Sequence, residues 1–134
     1  MRPRQIELAM AAALVGVGAP VHAGVCAGVQ SWPRVLVKVG GADFKNDEPW
    51  RARHVVAVIV QGKLDAGNAQ IGAAHSPAYA DFSAILAAVW AVLETRGALT
   101  AAIGAVDARL ENYRADIDGK QGLFVGQFEV FVEV

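Results

Sequence analysis

Cysteine is nearly absent from this chain, since Cys26 is the only thiol in 134 residues. A single cysteine excludes an intrachain disulfide framework and is typical of a reducing compartment. Histidine is scarce too, and His22, His54 and His75 are interpreted as scattered loop and surface residues. No H-x-x-x-H or paired-cysteine spacing brings three or four metal ligands together. Because no nucleophile stands beside a base, we predict a protein that is not an enzyme and holds no cofactor.

Charged residues are scarce as well. Charged residues make up 19% of the chain and hydrophobic residues 54%, whereas typical domains carry about 25% charged residues. The formal charge is −1, from 12 basic and 13 acidic residues, so no basic face is predicted for nucleic acid. A small protein with so little charge exposes apolar surface or covers it with a partner, and we favour a partner. The length predicts one domain over residues 1–134.

Long apolar runs are also missing. No stretch reaches the ~20 apolar residues of a membrane span, so no membrane partner is predicted. The N-terminus has some features of a signal peptide, because residues 8–15 are apolar and residues 21–23 resemble a signal-peptidase site. Glu7 interrupts the apolar run, and the same residues fit an amphipathic helix. The sequence favours a cytoplasmic protein with an N-terminal helix over a secreted binding domain that begins after Ala23.

Hydrophobic periodicity predicts an α/β (α+β) fold with the element order α-β-β-α-β-β. We expect a mixed β-sheet, two main helices packed on it and a C-terminal β-hairpin that turns at Asp118-Gly119. Gly40-Gly41 is predicted to stop the first main strand, and Gly97 to stop the second helix. The predicted elements are a helix over 3–14, a weak edge strand over 22–29, strands over 34–39 and 51–61, a helix over 77–96, a helical turn over 99–103 and strands within 107–134.

The strand over residues 51–61 is unusual because positions 55–60 are all apolar. Such a run predicts a central strand that is covered on both faces, or on one face by its own chain and on the other by a neighbouring subunit. The second helix is predicted to pack on the sheet and to expose alanines to another element. Its predicted core residues are Phe82, Ile85, Leu86, Val89, Trp90 and Leu93.

Two connections are long enough to be functional. Residues 40–50 and 62–75 are predicted to form polar or Gly/Ala-rich loops, and loops of that length in a compact domain are usually functional or mobile. An acidic cluster in the last third of the chain has two readings. It forms a solvated outer face with cross-strand pairs to Lys120, or it meets basic groups or a divalent cation on a neighbouring subunit. Its members are Asp107, Glu111, Asp116 and Asp118.

In order and pattern, nearly the whole chain resembles the tail terminator (minor tail protein U type) of long-tailed bacteriophages. The matching stretches are Trp32-Pro33 before the strand over 34–39, Trp50-Arg51 before the apolar strand, the helix over 80–96 with the turn over 99–103, Tyr113-Arg114, the acidic turn over 116–119 and the closing strand.

This resemblance implies a compact subunit assembled as a six-membered ring. The ring caps the tail tube at full length, stops further polymerisation and offers a face for head joining. The implied partners are further copies of the chain, the tail tube protein and a head–tail connector protein. The implied location is the virion, after assembly in the host cytoplasm. Low charge and a smooth alanine surface fit a head-to-tail ring contact.

For ring closure we predict charges at the sheet margins, and for contacts with the tube or a neighbour we predict residues of the two long connections. Weak Mg²⁺ dependence of assembly is a further hypothesis. The predicted ring residues are Arg51, Arg53, Arg109, Glu111, Arg114 and Asp116. The predicted contact residues are Asp43, Lys45, Asp47, Glu48 and Trp50 in the first connection and Lys63, Asp65 and Asn68 in the second. Another neck component, such as a tail-completion or connector subunit, is the alternative.

Overall fold

The computed structural model describes residues 2–24, 31–45, 48–63 and 77–134, with side chains outside residues 43–51. These residues form one layer of strands and one layer of helices. In chain order they are α1 (Pro3–Ala13), a 3₁₀ turn (Val15–Val17), β1 (Val21–Ala23), β2 (Arg34–Lys45), β3 (Glu48–Lys63), α2 (Pro77–Glu94), α3 (Arg96–Ile103), β4 (Asp107–Asp118) and β5 (Leu123–Glu133).

The five strands form one mixed sheet in the order β1-β2-β3-β5-β4. β1 runs parallel to β2, and the other neighbours are antiparallel. The predicted α+β class, the mixed sheet and the C-terminal hairpin are confirmed, and β3 is the central strand as predicted. The weak edge strand predicted over 22–29 is confirmed in part, at Val21–Ala23, whereas residues 25–29 of that prediction lie outside the described residues.

Two predicted stops are wrong. β2 continues through Gly40-Gly41 to Lys45, because a bulge between Val39 and Gly41 absorbs the irregularity and pairing with β3 resumes. Residues 40–45 and 48–50 are therefore strand and not a polar loop. Gly97 lies inside α3, and the helical segment ends at Gly104, whose φ of 75° is in the left-handed region. Pairing of β2 with β3 outweighs the tendency of Gly40-Gly41 to end a strand. Packing of α3 against β4 outweighs the tendency of Gly97 to end a helix.

All three helices pack on one face of the sheet, and the core lies between the two layers. β2, β3 and β5 contribute every second side chain, and the helices contribute side chains at helical spacing. The sheet side of the core includes Val35, Val37, Val56, Val58, Val60, Phe128, Val130 and Val132, and the helix side includes Ile6, Met10, Leu14, Phe82, Ile85, Val89, Leu93, Leu99 and Ile103.

α2 is long and apolar enough to cross a membrane by length and composition alone. The core helix of a soluble protein meets the same criteria, and α2 presents four buried residues to this core. Trp90, predicted as a core residue, remains 38% exposed. Its ring lies 4.7 Å from Tyr113 and 5.4 Å from Phe128, centroid to centroid. Trp90 therefore closes the margin of the core.

Two glycines of the sheet let α2 approach closely. A Cβ at Gly126 would lie 2.5 Å from Leu86 Cδ1, and one at Gly62 would lie 3.0 Å from Phe82 Cβ. Gly126 pairs with Val60, and Gly62 pairs with Phe124, so the two glycines occupy neighbouring strands beneath the same helix. At these two positions the sheet has no side chain beneath α2, and the helix packs closely there.

Candidate interaction surface

The face of the sheet that points away from the helices is not covered by any helix or strand within the described ranges. Alternation assigns the residues of β2, β3 and β5, whose neighbours in sequence are mostly buried against the helices, and pairing with β5 assigns those of β4. We call this surface the open face. It is formed by Arg34, Leu36 and Lys38 of β2, Arg53, Val55, Ala57, Ile59, Gln61 and Lys63 of β3, Val125, Gln127, Glu129, Phe131 and Glu133 of β5, and Arg109, Asn112, Arg114 and Asp116 of β4.

The centre of the open face is apolar. Leu36, Val55, Ile59 and Phe131 are half-buried there, although an antiparallel sheet that faces water normally presents polar residues. Charged residues surround this centre. An apolar centre inside a polar rim is the usual composition of a protein–protein contact. The predicted cover of β3 is thus confirmed on one face, and its cover by a neighbouring subunit stays a prediction.

Phe131 sits between two arginines that the sequence predicted as ring residues. The Arg53 guanidinium lies 4.7 Å from the centroid of the Phe131 ring, and that of Arg109 lies 5.9 Å from it. Strand register explains the arrangement, since Phe131 pairs with Arg109 on β4 and with Val55 on β3. The two cations hold the aromatic ring by cation–π attraction.

An ion-pair network fixes the beginning of β4. Arg96 donates two hydrogen bonds of 2.7 Å to the two Asp107 carboxylate oxygens, and Arg109 Nη1 lies 3.1 Å from Asp107 Oδ2. Arg109 also donates to Glu111. The Arg96 hydrogen bond is the main cause that lowers the pKa of Asp107, and the Glu111 hydrogen bond is the main cause that raises the pKa of Arg109. Asp107 and Glu111 thus pair with arginines and not with Lys120.

The other two predicted ring charges lie near the far end of the sheet. Arg114 Nη2 is 3.4 Å from Gln127 Oε1, and Asp116 lines the same shallow cavity of about 540 Å³. Nearby, Asp118 Oδ1 accepts hydrogen bonds of 3.1 Å from the Lys120 and Gln121 N–H groups, which confirms the predicted turn. Within the described ranges, no three His, Cys, Asp or Glu side chains are placed to hold a metal ion.

The predicted ring residues therefore form two separate groups. Arg53 and Arg109 lie at one end of the open face, and Glu111, at the register shift of β4, accepts a hydrogen bond from Arg109. Arg114 and Asp116 lie towards the other end, and the Glu133 and Val125 rows are roughly 26 Å apart by strand rise. Arg51 is on β3, and its side chain lies outside the described part.

The predicted contact residues also lie in different parts of the chain, some on strands and some outside the described residues. The main chain of Asp43, Lys45, Glu48 and Trp50 belongs to strands β2 and β3 rather than to a loop. Lys63 is the exposed last residue of β3. Asp47, Asp65 and Asn68 lie outside the described residues. The contacts assigned to all of these residues stay predictions.

The outer edge of β4 is occupied by side chains. Thr100 Oγ1 accepts from the Ala108 N–H at 2.9 Å, and Asn112 Oδ1 accepts from the Tyr113 N–H at 2.9 Å. Asp116 Oδ1 accepts from the Ile117 N–H at 2.7 Å. Edge strands are commonly protected in this way against pairing with another chain.

Sequence reasoning missed His54. It was interpreted as a surface residue, but it is 4% exposed and its Nδ1 atom has no hydrogen-bond partner. Desolvation by burial lowers its pKa. The signal was available, because His54 has the same parity along β3 as Val56, Val58 and Val60, which are buried.

Two sequence comparisons find no match, neither a family model nor a curated protein. The fold, however, is similar to that of a chain in a solved structure described as the virion of a native gene transfer agent particle. The TM-score is 0.53 with 20% sequence identity, and the match covers 93% of this chain and 83% of that chain. A likeness at this identity shows that the two chains share a fold.

Proposed function

We propose that this protein is a structural subunit of a phage-like virion. The observation that carries the proposal is the fold shared with a virion chain over 93% of this sequence. The open face supports it, because an apolar centre with a charged rim fits a protein that works in an assembly. A structural role also agrees with the sequence, in which no nucleophile–base pair is recognisable.

Within that class we infer a tail terminator. Such a subunit would form a ring, six-membered by the family resemblance, that caps the tail tube, stops its polymerisation and offers a surface for head joining. Its partners would be further copies of itself, the tail tube protein and a head–tail connector protein. It would be made in the host cytoplasm and end in the virion. The support is the pattern of Trp32-Pro33 directly before β2, Trp50-Arg51 within β3 and Tyr113-Arg114 within β4.

The test is electron microscopy of particles made without this protein. Loss of a tail terminator gives overlong tails, because nothing stops the tube. Loss of a connector or another neck component gives tails of normal length without heads. Tails of normal length would therefore refute the terminator role, and complete infectious particles would refute the structural role altogether.

For the ring itself, we expect Arg114→Glu to leave the monomer folded and to impair ring formation. Arg114 is exposed and its Nη2 atom makes a long contact of 3.4 Å to Gln127, so the change in the free energy of unfolding should stay within about 0.5 kcal/mol. Native mass spectrometry measures the ring, and thermal unfolding measures the fold. Arg2→Glu, which reverses an exposed charge on the helix layer, is the control. Normal rings of Arg114→Glu would remove this residue from the contact.

Assembly is also proposed to depend weakly on Mg²⁺, through carboxylates that meet across subunits. Native mass spectrometry of the purified protein with Mg²⁺ and with a chelator tests this. Equal ring populations under both conditions would exclude the dependence.

A further inference from the structure

We draw no further inference here: the strongest candidate, the apolar centre of the open face formed by Leu36, Val55, Ile59 and Phe131, carries none, because nothing in the described part of the structure shows what covers it.

Discussion

His54 combines deep burial with an unpaired ring nitrogen. Only 4% of its surface is exposed, and Nδ1 has no hydrogen-bond partner. Burial disfavours the imidazolium, which lowers the pKa of His54 from its ordinary value of 6.5. The unfolded chain therefore binds a proton at a higher pH than the folded chain.

This shift makes stability depend on pH in one direction. The contribution of neutral His54 is complete above the unfolded pKa of about 6.5 and is lost as the pH falls below it, because the unfolded state then binds more protons. We expect the free energy of unfolding to fall between pH 7 and pH 5 in the wild type and to fall less in His54→Leu. Urea unfolding at a series of pH values measures this. His22→Gln is the control, and equal slopes for wild type and His54→Leu would contradict the prediction.

The contact between α2 and the sheet uses glycines of the sheet as well as aromatic side chains such as Phe82 on Phe124. Because a Cβ at Gly126 would lie 2.5 Å from Leu86 Cδ1, Gly126→Val forces α2 to move or Leu86 to change rotamer. We expect a loss of about 1–3 kcal/mol in the free energy of unfolding, as for other overpacked cores. Denaturant unfolding measures it.

Gly97 provides the matched control. It lies inside α3, and a Cβ added there would meet nothing within 4 Å. Gly97→Ala should therefore stabilise the protein by about 0.4–1 kcal/mol, because the unfolded chain loses conformational freedom. If both glycine substitutions destabilised the protein equally, glycine content and not the close approach of α2 would explain the loss.

These glycines also show which elements could be predicted. The periodicity of β3, β5 and α2 is strong, and it predicted their positions, the central place of β3 and most buried residues. Gly40-Gly41 and Gly97 were misread as stops, because whether a glycine ends an element depends on pairing partners distant in sequence. The long β2–β3 hairpin and the full extent of α3 were hidden for that reason.

The candidate surface was predictable only in part. The apolar run 55–60 indicated a second covered face, and parity along β3 places Arg53 on it. Parity alone does not place Arg109 on one face with Arg114 and Asp116, because the register shift between Leu110 and Asn112 in β4 reverses the alternation. The position of Phe131 between Arg53 and Arg109 was not visible, because it arises from a strand order in which β5 lies between β3 and β4. The ion pairs of Arg109 with Asp107 and Glu111 were not predicted from the sequence either, and only the structure shows them.

The N-terminal segment is part of the core of the whole molecule. Ile6, Met10 and Leu14 are fully buried, Arg4 Nη1 donates to the Ala23 carbonyl at 2.7 Å, and Glu7 Oε2 accepts from the Val39 N–H at 3.1 Å. Cleavage after Ala23, as a secreted binding domain would require, would remove α1 and β1 and expose β2.

We therefore expect deletion of residues 2–23 to abolish cooperative unfolding, since three fully buried apolar side chains are each worth about 2–5 kcal/mol when truncated. Circular dichroism melting of the shortened chain measures this. A shortened chain that melts cooperatively near the wild-type temperature would contradict it and favour the secreted alternative.

The outer edge of β4 determines how this protein can aggregate. Its N–H groups at Ala108, Tyr113 and Ile117 are already bonded to side chains of the same chain, and the opposite edge, β1, has only three residues. An incoming strand thus finds these three donors already bonded at the β4 edge and only a short strand at the β1 edge. Both features oppose growth of the sheet by addition of strands from further copies, so contacts between copies are favoured on other surfaces.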